Sequence, residues 1–205
     1  MQLDPLTAPP PAVYKLLIGC VVPRPIAWVS TTGPDGVHNL APFSFFMGVC
    51  NDPPTIAFSS GPRERNTKDT VVNIRHTGDF VVNVVDDALA ERMNLTSGEY
   101  LPEVDEFALA VLTAVPGVKV RTPRVAEAPI SLECRVAQIL AVGRGPHSLV
   151  LGEIVYFHVR DELYDQVTGR VDMRQLRPLG RLAGQLYAHT HDIFEMKRPT
   201  EGYAG

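Results

Sequence analysis

The chain has 205 residues, 45% of them apolar and 20% charged, ordinary proportions for a folded globular protein that exclude a disordered, collagen-like or coiled-coil chain. A net charge of −4, from 19 Lys+Arg against 23 Asp+Glu, gives no electrostatic reason to expect nucleic-acid binding. Three cysteines without a C-x-x-C spacing argue against a disulfide framework or a zinc module, no apolar run approaches the roughly 18–20 residues of a membrane span, and the first residues lack the blocks of a secretion signal, so a cytoplasmic location is expected.

Thr7-Ala8-Pro9-Pro10-Pro11 cannot be helical beyond a first turn. Val13, Leu16, Leu17 and Cys20 then recur at helical spacing, which predicts a short helix over 12–20 that Pro23 and Pro25 end. The stretch 26–32 is β-rich, Thr32-Gly33-Pro34-Asp35-Gly36 is turn chemistry, and 37–41 is the returning strand of a hairpin. An aromatic loop, Pro42-Phe43-Ser44-Phe45-Phe46, precedes a short strand at 55–59. Thr67 is a candidate N-cap for a helix running to about His76, with Gly78 as its stop. A buried strand over 80–85 and a second helix over 86–95 follow, while 97–123 carries no clear period. Two long strands, 130–142 and 148–159, are joined by Gly143-Arg144-Gly145-Pro146, and the chain beyond Asp161 reads as peripheral. Cys20, Cys50 and Cys134 all sit among apolar neighbours, which predicts core positions. With no repeat and no shift of composition, one domain is expected. About seven strands and few helices argue for an antiparallel β-barrel with helices outside it.

Three segments can carry chemistry. Pro23-Arg24-Pro25-Ile26-Ala27-Trp28-Val29-Ser30-Thr31 reads, taken alone, as an edge strand guarded by prolines, its tryptophan a core residue. In Asn39-Leu40-Ala41-Pro42-Phe43-Ser44, Pro42 interrupts a strand and leaves backbone N–H groups for a ligand, with aromatic rings for a flat partner; a hydrophobic plug of the barrel end fits equally. Ser59-Ser60-Gly61-Pro62-Arg63-Glu64-Arg65-Asn66-Thr67-Lys68-Asp69-Thr70 passes from serines through a cationic loop into a helix start, which suits a phosphate or an ordinary cap.

In this order and spacing the three segments resemble the flavin reductase-like family of FMN-binding split barrels, in its flavoredoxin-like branch. Asp52-Pro53-Pro54, Thr77-Gly78-Asp79-Phe80-Val81-Val82-Asn83, Ser148-Leu149-Val150-Leu151-Gly152-Glu153-Ile154 and Arg181-Leu182-Ala183-Gly184 with Tyr187 extend the likeness over about 14–187. The resemblance implies a mainly β fold with peripheral helices: a six-stranded antiparallel split β-barrel in Greek-key order, working as a homodimer with FMN in a groove near the interface. Carried over by position, Trp28, Ser30 and Thr31 border the flavin. Asn39, Ala41, Pro42, Phe43 and Ser44 meet the ring edge through backbone groups, and Ser59 and Ser60 with Lys68-Asp69-Thr70 hold the phosphate. The function it implies is an FMN-dependent oxidoreductase fed by NADH or NADPH. Free flavin, a ferric chelate or an acceptor protein would take the electrons. The flavin ring does the chemistry, so no triad and no general base is expected. A flavin-binding electron carrier without its own NAD(P)H site, and a barrel without flavin, are the alternatives.

Two histidine-bearing segments remain. The reductase branch has Gly-Asp-His in the loop before its last long strand, with the histidine linked to nicotinamide use. Here the loop reads Gly145-Pro146-His147, which keeps the histidine without the aspartate. In His189-Thr190-His191-Asp192 two imidazoles share a face, but no third ligand is identifiable, and no metal is expected.

Overall fold

The computed structural model describes residues 1–62 and 68–199. Helix α1 (Pro10–Cys20) begins with two prolines, where a missing N–H costs nothing, and buries none of its residues. Strands β1 (Ala27–Thr32), β2 (His38–Phe43), β3 (Phe46–Asn51) and β4 (Pro54–Ser60) follow. Next come α2 (Asp69–Thr77), β5 (Asp79–Asn83), a 3₁₀ turn (Asp87–Leu89), α3 (Ala90–Leu95), α4 (Glu106–Leu109) and two short strands, β6 (Ala114–Val115) and β7 (Arg124–Val125). The long strands β8 (Ile130–Val142) and β9 (His147–Val159) are followed by β10 (Tyr164–Asp165), β11 (Arg170–Val171), α5 (Met173–Leu176), β12 (Leu179–Arg181) and β13 (Tyr187–His189).

One antiparallel sheet in the order β2-β1-β5-β8-β9-β4-β3 dominates. Because β4 returns to pair with β9, and β1 with β5, the connections are not all between neighbours, as a Greek-key barrel requires. The sheet has seven strands rather than six. The extra one is β3, in chain expected to be loop: β2 continues through Pro42 to Phe43, and β3 starts at Phe46 and pairs with β4. Pro42 is tolerated because β2 is an edge strand. Strand β1, which the prolines suggested as an edge, is central, lying between β2 and β5.

Strand alternation sends successive β1 side chains to two separate cores. Ala27 and Val29 join Phe43, Phe58, Phe80, Val82, Cys134 and Val150 inside the barrel, with Val71 and Ile74 of α2. Gly152 sits where an added Cβ would overlap the Phe80 ring, so only glycine lets β9 pass that close. Ile26 and Trp28 face the other way and pack with Leu40, Leu89, Met93, Phe107 and Leu179, beneath α3 and α4.

Gly78 ends α2 in the left-handed conformation (φ 74°) and returns its N–H to Ile74, as expected. The anticipated cap at Thr67, and Arg63 to Asn66 before it, lie outside the described residues. Residues 86–95 divide into the 3₁₀ turn and α3, because the Asp86 carboxylate accepts the Leu89 N–H and starts a tight turn. Of the three cysteines only Cys134 is buried; Cys20 and Cys50 are exposed, against expectation. Among the described residues no helix is long and apolar enough to cross a membrane.

Candidate functional site

A groove of about 1250 Å³ lies across one end of the barrel. One wall comes from the end of β2 and the turn after it (Pro42, Phe43, Ser44, Phe45), the end of β4 (Ser59) with Gly61, and Lys68 at the head of α2. His147, first residue of β9, completes that wall: the pairing Ser60↔Ser148 sets it beside Gly61, where an added Cβ would stand 3.7 Å from its Nε2. The opposite wall comes from Tyr14 and Ile18 of α1, Met93 and Asn94 of α3, and Arg181 and Tyr187 of the β12–β13 hairpin.

The fold therefore brings together Pro42, Phe43, Ser44, Ser59, Lys68 and His147. It sets the other expected residues behind that wall. Trp28 is fully buried in the outer core and its indole N–H donates to Thr96 Oγ1 at 2.8 Å. Ser30 and Thr31 are fully buried as well, and the Ser30 hydroxyl donates to the Pro123 carbonyl at 2.6 Å. Ser60 is buried with its hydroxyl on the Gly61 carbonyl, and Ala41 packs against the inner core. Asp69 opens the first turn of α2, favourable at a helix start. The Thr70 hydroxyl donates to Asn39 Oδ1 at 2.8 Å, so both are engaged within the protein.

Backbone direction on β2 is constrained by the same kind of pairing. The Leu40 N–H turns away from β1 and donates to Glu106 at 3.1 Å. By alternation the Ala41 and Phe43 N–H groups turn toward β1, and Pro42 has none to offer. Ser44 is the next position on the outward side. Its hydroxyl accepts from Arg24 Nε at 3.4 Å.

Arg24 is the residue that sequence reasoning missed. It is 5% exposed and ties three segments to one guanidinium. Its Nη1 donates to the carbonyls of Ile18 (2.8 Å) and Val21 (2.6 Å) at the end of α1, and its Nη2 to Leu182 (2.9 Å) in the β12–β13 hairpin. The ring of Phe45 lies 5.7 Å from it. Burial, with the nearby Arg181 charge, pulls its pKa below the ordinary arginine value. Its place between two prolines disguised it as part of a strand start. Glu106 was missed too. It stands behind the groove wall and accepts from Asn39 Nδ2 at 2.8 Å as well as from Leu40. Burial, reinforced by the Asp69 charge, pushes its pKa up to about 7 against those donors and its own backbone N–H.

The groove thus has a cationic end at Lys68, whose Nζ lies 5.5 Å from the Phe43 ring centroid. Its middle is aromatic, and polar groups stand at its rim. A flat, elongated ligand with an anionic end fits that arrangement.

Comparison with known proteins gives the family. The flavin reductase like domain matches residues 18–180. A protein of Aquifex aeolicus, described only as uncharacterized, is 43% identical over 186 residues, covering 90% of this chain and 93% of the relative. The crystal structure of nitrilotriacetate monooxygenase component B from Bacillus cereus superposes with a TM-score of 0.92 at 34% identity, covering 96% of this chain and 98% of that one. The 2-nitrobenzoate 2-nitroreductase NbaA of Pseudomonas fluorescens superposes with a TM-score of 0.90 at 33% identity over 100% of both chains. These relatives support a flavin-related oxidoreductase role. With most of its length matched, this chain belongs to the flavin reductase-like domain family.

Proposed function

We propose that the protein is an FMN-dependent oxidoreductase that takes electrons from NADH or NADPH and hands them to free flavin, a small acceptor or an acceptor protein. One observation carries this reading: Phe43, Ser44, Ser59, Lys68 and His147, from separate stretches of chain, line a single groove. Lys68, at the head of α2, holds the phosphate at the positive end of that helix's dipole. Ser59 borders the same end. Phe43, Phe45 and Pro42 flank the ring, and Ser44, steadied by Arg24, donates its outward N–H to the ring edge. Thr70 and Asn39 act from behind, by fixing the first turn of α2 against β2. His147 stands at the rim, where a nicotinamide would approach. Bound FMN supplies a ring that accepts a hydride and passes electrons onward.

The homodimer belongs to the same proposal. Met47 and Val49 on the edge strand β3 are 59% and 45% exposed, and Phe45 beside them is 37% exposed. An exposed apolar edge strand calls for cover, and a second copy supplies it. Of the aromatic residues expected to need cover, Phe43 is buried and Phe46 packs against the inner core, so the argument now rests on β3. A sedimentation mass near that of one chain would remove the dimer.

The deciding experiment is the visible spectrum of the purified protein, followed by NADH or NADPH without oxygen. A yellow protein bleached by either donor is the expected result. A yellow protein that neither donor bleaches is an electron carrier, and a colourless protein that takes up no FMN is not a flavoprotein. The Lys68→Ala variant should lose FMN affinity by roughly tenfold to a hundredfold, the worth of a charge-assisted hydrogen bond, while binding riboflavin nearly as before. Equal losses for both ligands would take Lys68 away from the phosphate.

A further inference from the structure

The chain beyond the barrel carries His189 and His191, a pair without a third partner in the neighbouring sequence. The fold supplies one. Antiparallel pairing of β13 with β12 lays this segment beside the 3₁₀ turn that starts at Asp87. His189 Nδ1 lies 2.7 Å from one Asp87 carboxylate oxygen, and His191 Nε2 is bonded to the other. The three ligand atoms all lie within 4.8 Å of one another, although 102 residues separate Asp87 from His189. The two rings stand 5.0 Å apart at 35°, so neither blocks the other's nitrogen.

We propose that Asp87, His189 and His191 form a binding site for a divalent cation of the zinc class. Two imidazole nitrogens and one carboxylate oxygen are ligands that such an ion prefers. Bonds of about 2.0–2.2 Å to a tetrahedral ion put ligand atoms roughly 3.3–3.6 Å apart, so the histidine–carboxylate contacts must open while the two imidazole nitrogens, within 4.8 Å of each other, adjust to the same spacing. That movement is available, because the His189 and His191 side chains are 68% and 48% exposed and can swing. The fourth position faces solvent and takes water. Each imidazole then carries its proton on the nitrogen turned away from the ion.

A hydrogen-bonded clasp is the competing account of the same proximity. Exposed pairs of this kind are individually weak, so a clasp would add little stability, whereas a bound ion would add a measurable amount. The site lies outside the groove lining but acts on it. Helix α3, which begins three residues after Asp87, gives Met93 and Asn94 to the groove, and the β12–β13 hairpin gives Arg181 and Tyr187. The Tyr187 hydroxyl already reaches Asn94 Oδ1 at 3.4 Å. A bound ion would fasten those two pieces of wall together from behind, and its role is structural.

The test uses the untagged full chain, stripped of metal with a chelator and titrated with Zn²⁺ in a calorimeter. One ion per chain is expected, together with a rise in melting temperature on adding zinc. His189→Asn and His191→Gln keep an N–H that can reach the Asp87 carboxylate but lack an imidazole ligand. Each should weaken zinc binding at least tenfold, and the double variant should abolish both the binding and the melting shift. In chelator, these variants should melt close to the parent protein. Absence of stoichiometric binding in the parent, or binding that survives in the double variant, overturns the proposal. Variants that melt lower in chelator while the parent ignores zinc would also overturn it, and would leave the cluster a hydrogen-bonded clasp.

Discussion

Two carboxylates, Glu133 and Glu106, are almost equally buried, at 0% and 6% exposure, yet they hold their protons very differently. Glu133, on β8, accepts three backbone N–H groups, from Val118 (2.6 Å), Lys119 (2.6 Å) and Val120 (3.1 Å), and contacts His158 Nε2 at 2.6 Å. Burial pushes its pKa up, but the His158 ring and those amides outweigh burial and hold it below the ordinary carboxylate value. Glu106 has two backbone N–H groups, from Leu40 and itself, and the Asn39 amide, but no histidine beside it and the Asp69 charge nearby, and burial wins. Donors and neighbouring charge together decide the outcome: a histidine and three amides keep Glu133 ionised, while Glu106 has fewer donors and a carboxylate for a neighbour. The well-supplied carboxylate organises a loop on the far side of the barrel. The under-supplied one stands behind the groove, where its charge changes around neutral pH.

The largest way to break this comparison is Glu133→Ala, which strands three backbone N–H groups and leaves His158 without its carboxylate. A loss of about 3–5 kcal/mol is expected from denaturant unfolding, as for other broken buried pairs. A loss below about 1 kcal/mol would mean that water replaces the carboxylate and that burial there is shallow.

Glu106 comes next, and its sign is opposite to the usual acid-side behaviour. Its folded pKa of about 7 lies above the ordinary 4.5, so between those values the folded chain keeps a proton that the unfolded chain has released. Stability from this group is complete below about pH 4.5, falls as pH rises, and is lost above about pH 7, by at most about 3 kcal/mol. Glu106→Gln, which cannot ionise, should flatten that decline in a series of unfolding midpoints against pH. A parallel decline in both proteins would assign the pH dependence elsewhere. Glu133 works in the other window, because its depressed pKa means stability is lost as pH falls through it.

The smallest effect sharpens the donor count itself. Asn39→Ala removes the amide donor from Glu106, and the midpoint of its titration should rise by up to about one pH unit, the equivalent of one hydrogen bond. An unchanged midpoint, followed by carboxyl resonances in NMR, would show that burial and the backbone donors set the charge.

Much of the barrel was legible because its turns have chemistry of their own. Gly36 and Gly78 both take positive φ where sequence placed a turn and a helix stop, and the two long strands were found to within a residue. The stretch 97–123 was not legible, since its elements are too short to show a period. Contacts distant in sequence hold it instead, such as Glu133 to the amides of Val118–Val120 and Asp79 to Thr122. The groove was half legible. Lys68 and Ser59 were marked by the local chemistry of a helix start and a strand end, Ser44 and His147 by the family resemblance, and all four line the groove. Arg24, Glu106 and Asp87 were not, because each owes its importance to partners reached only through the fold. Trp28, Ser30 and Thr31 show the converse: their motif is local, but alternation along a central strand turns them into cores and networks.

Arg24 has a consequence for the order in which the molecule comes together. Every barrel strand is available once Val159 has been made, but Arg24 grips Ile18 and Val21 on one side of the barrel sequence and Leu182 on the other. The barrel can therefore form on the growing chain while the groove cannot. Its second wall exists only after the segment carrying Leu182 has travelled back to the first residues of the protein. Closure of the groove is then the last event in the molecule's assembly, and a protease cut between Val159 and Leu182 should loosen the wall at Arg181 and Tyr187 before it costs the barrel its fold.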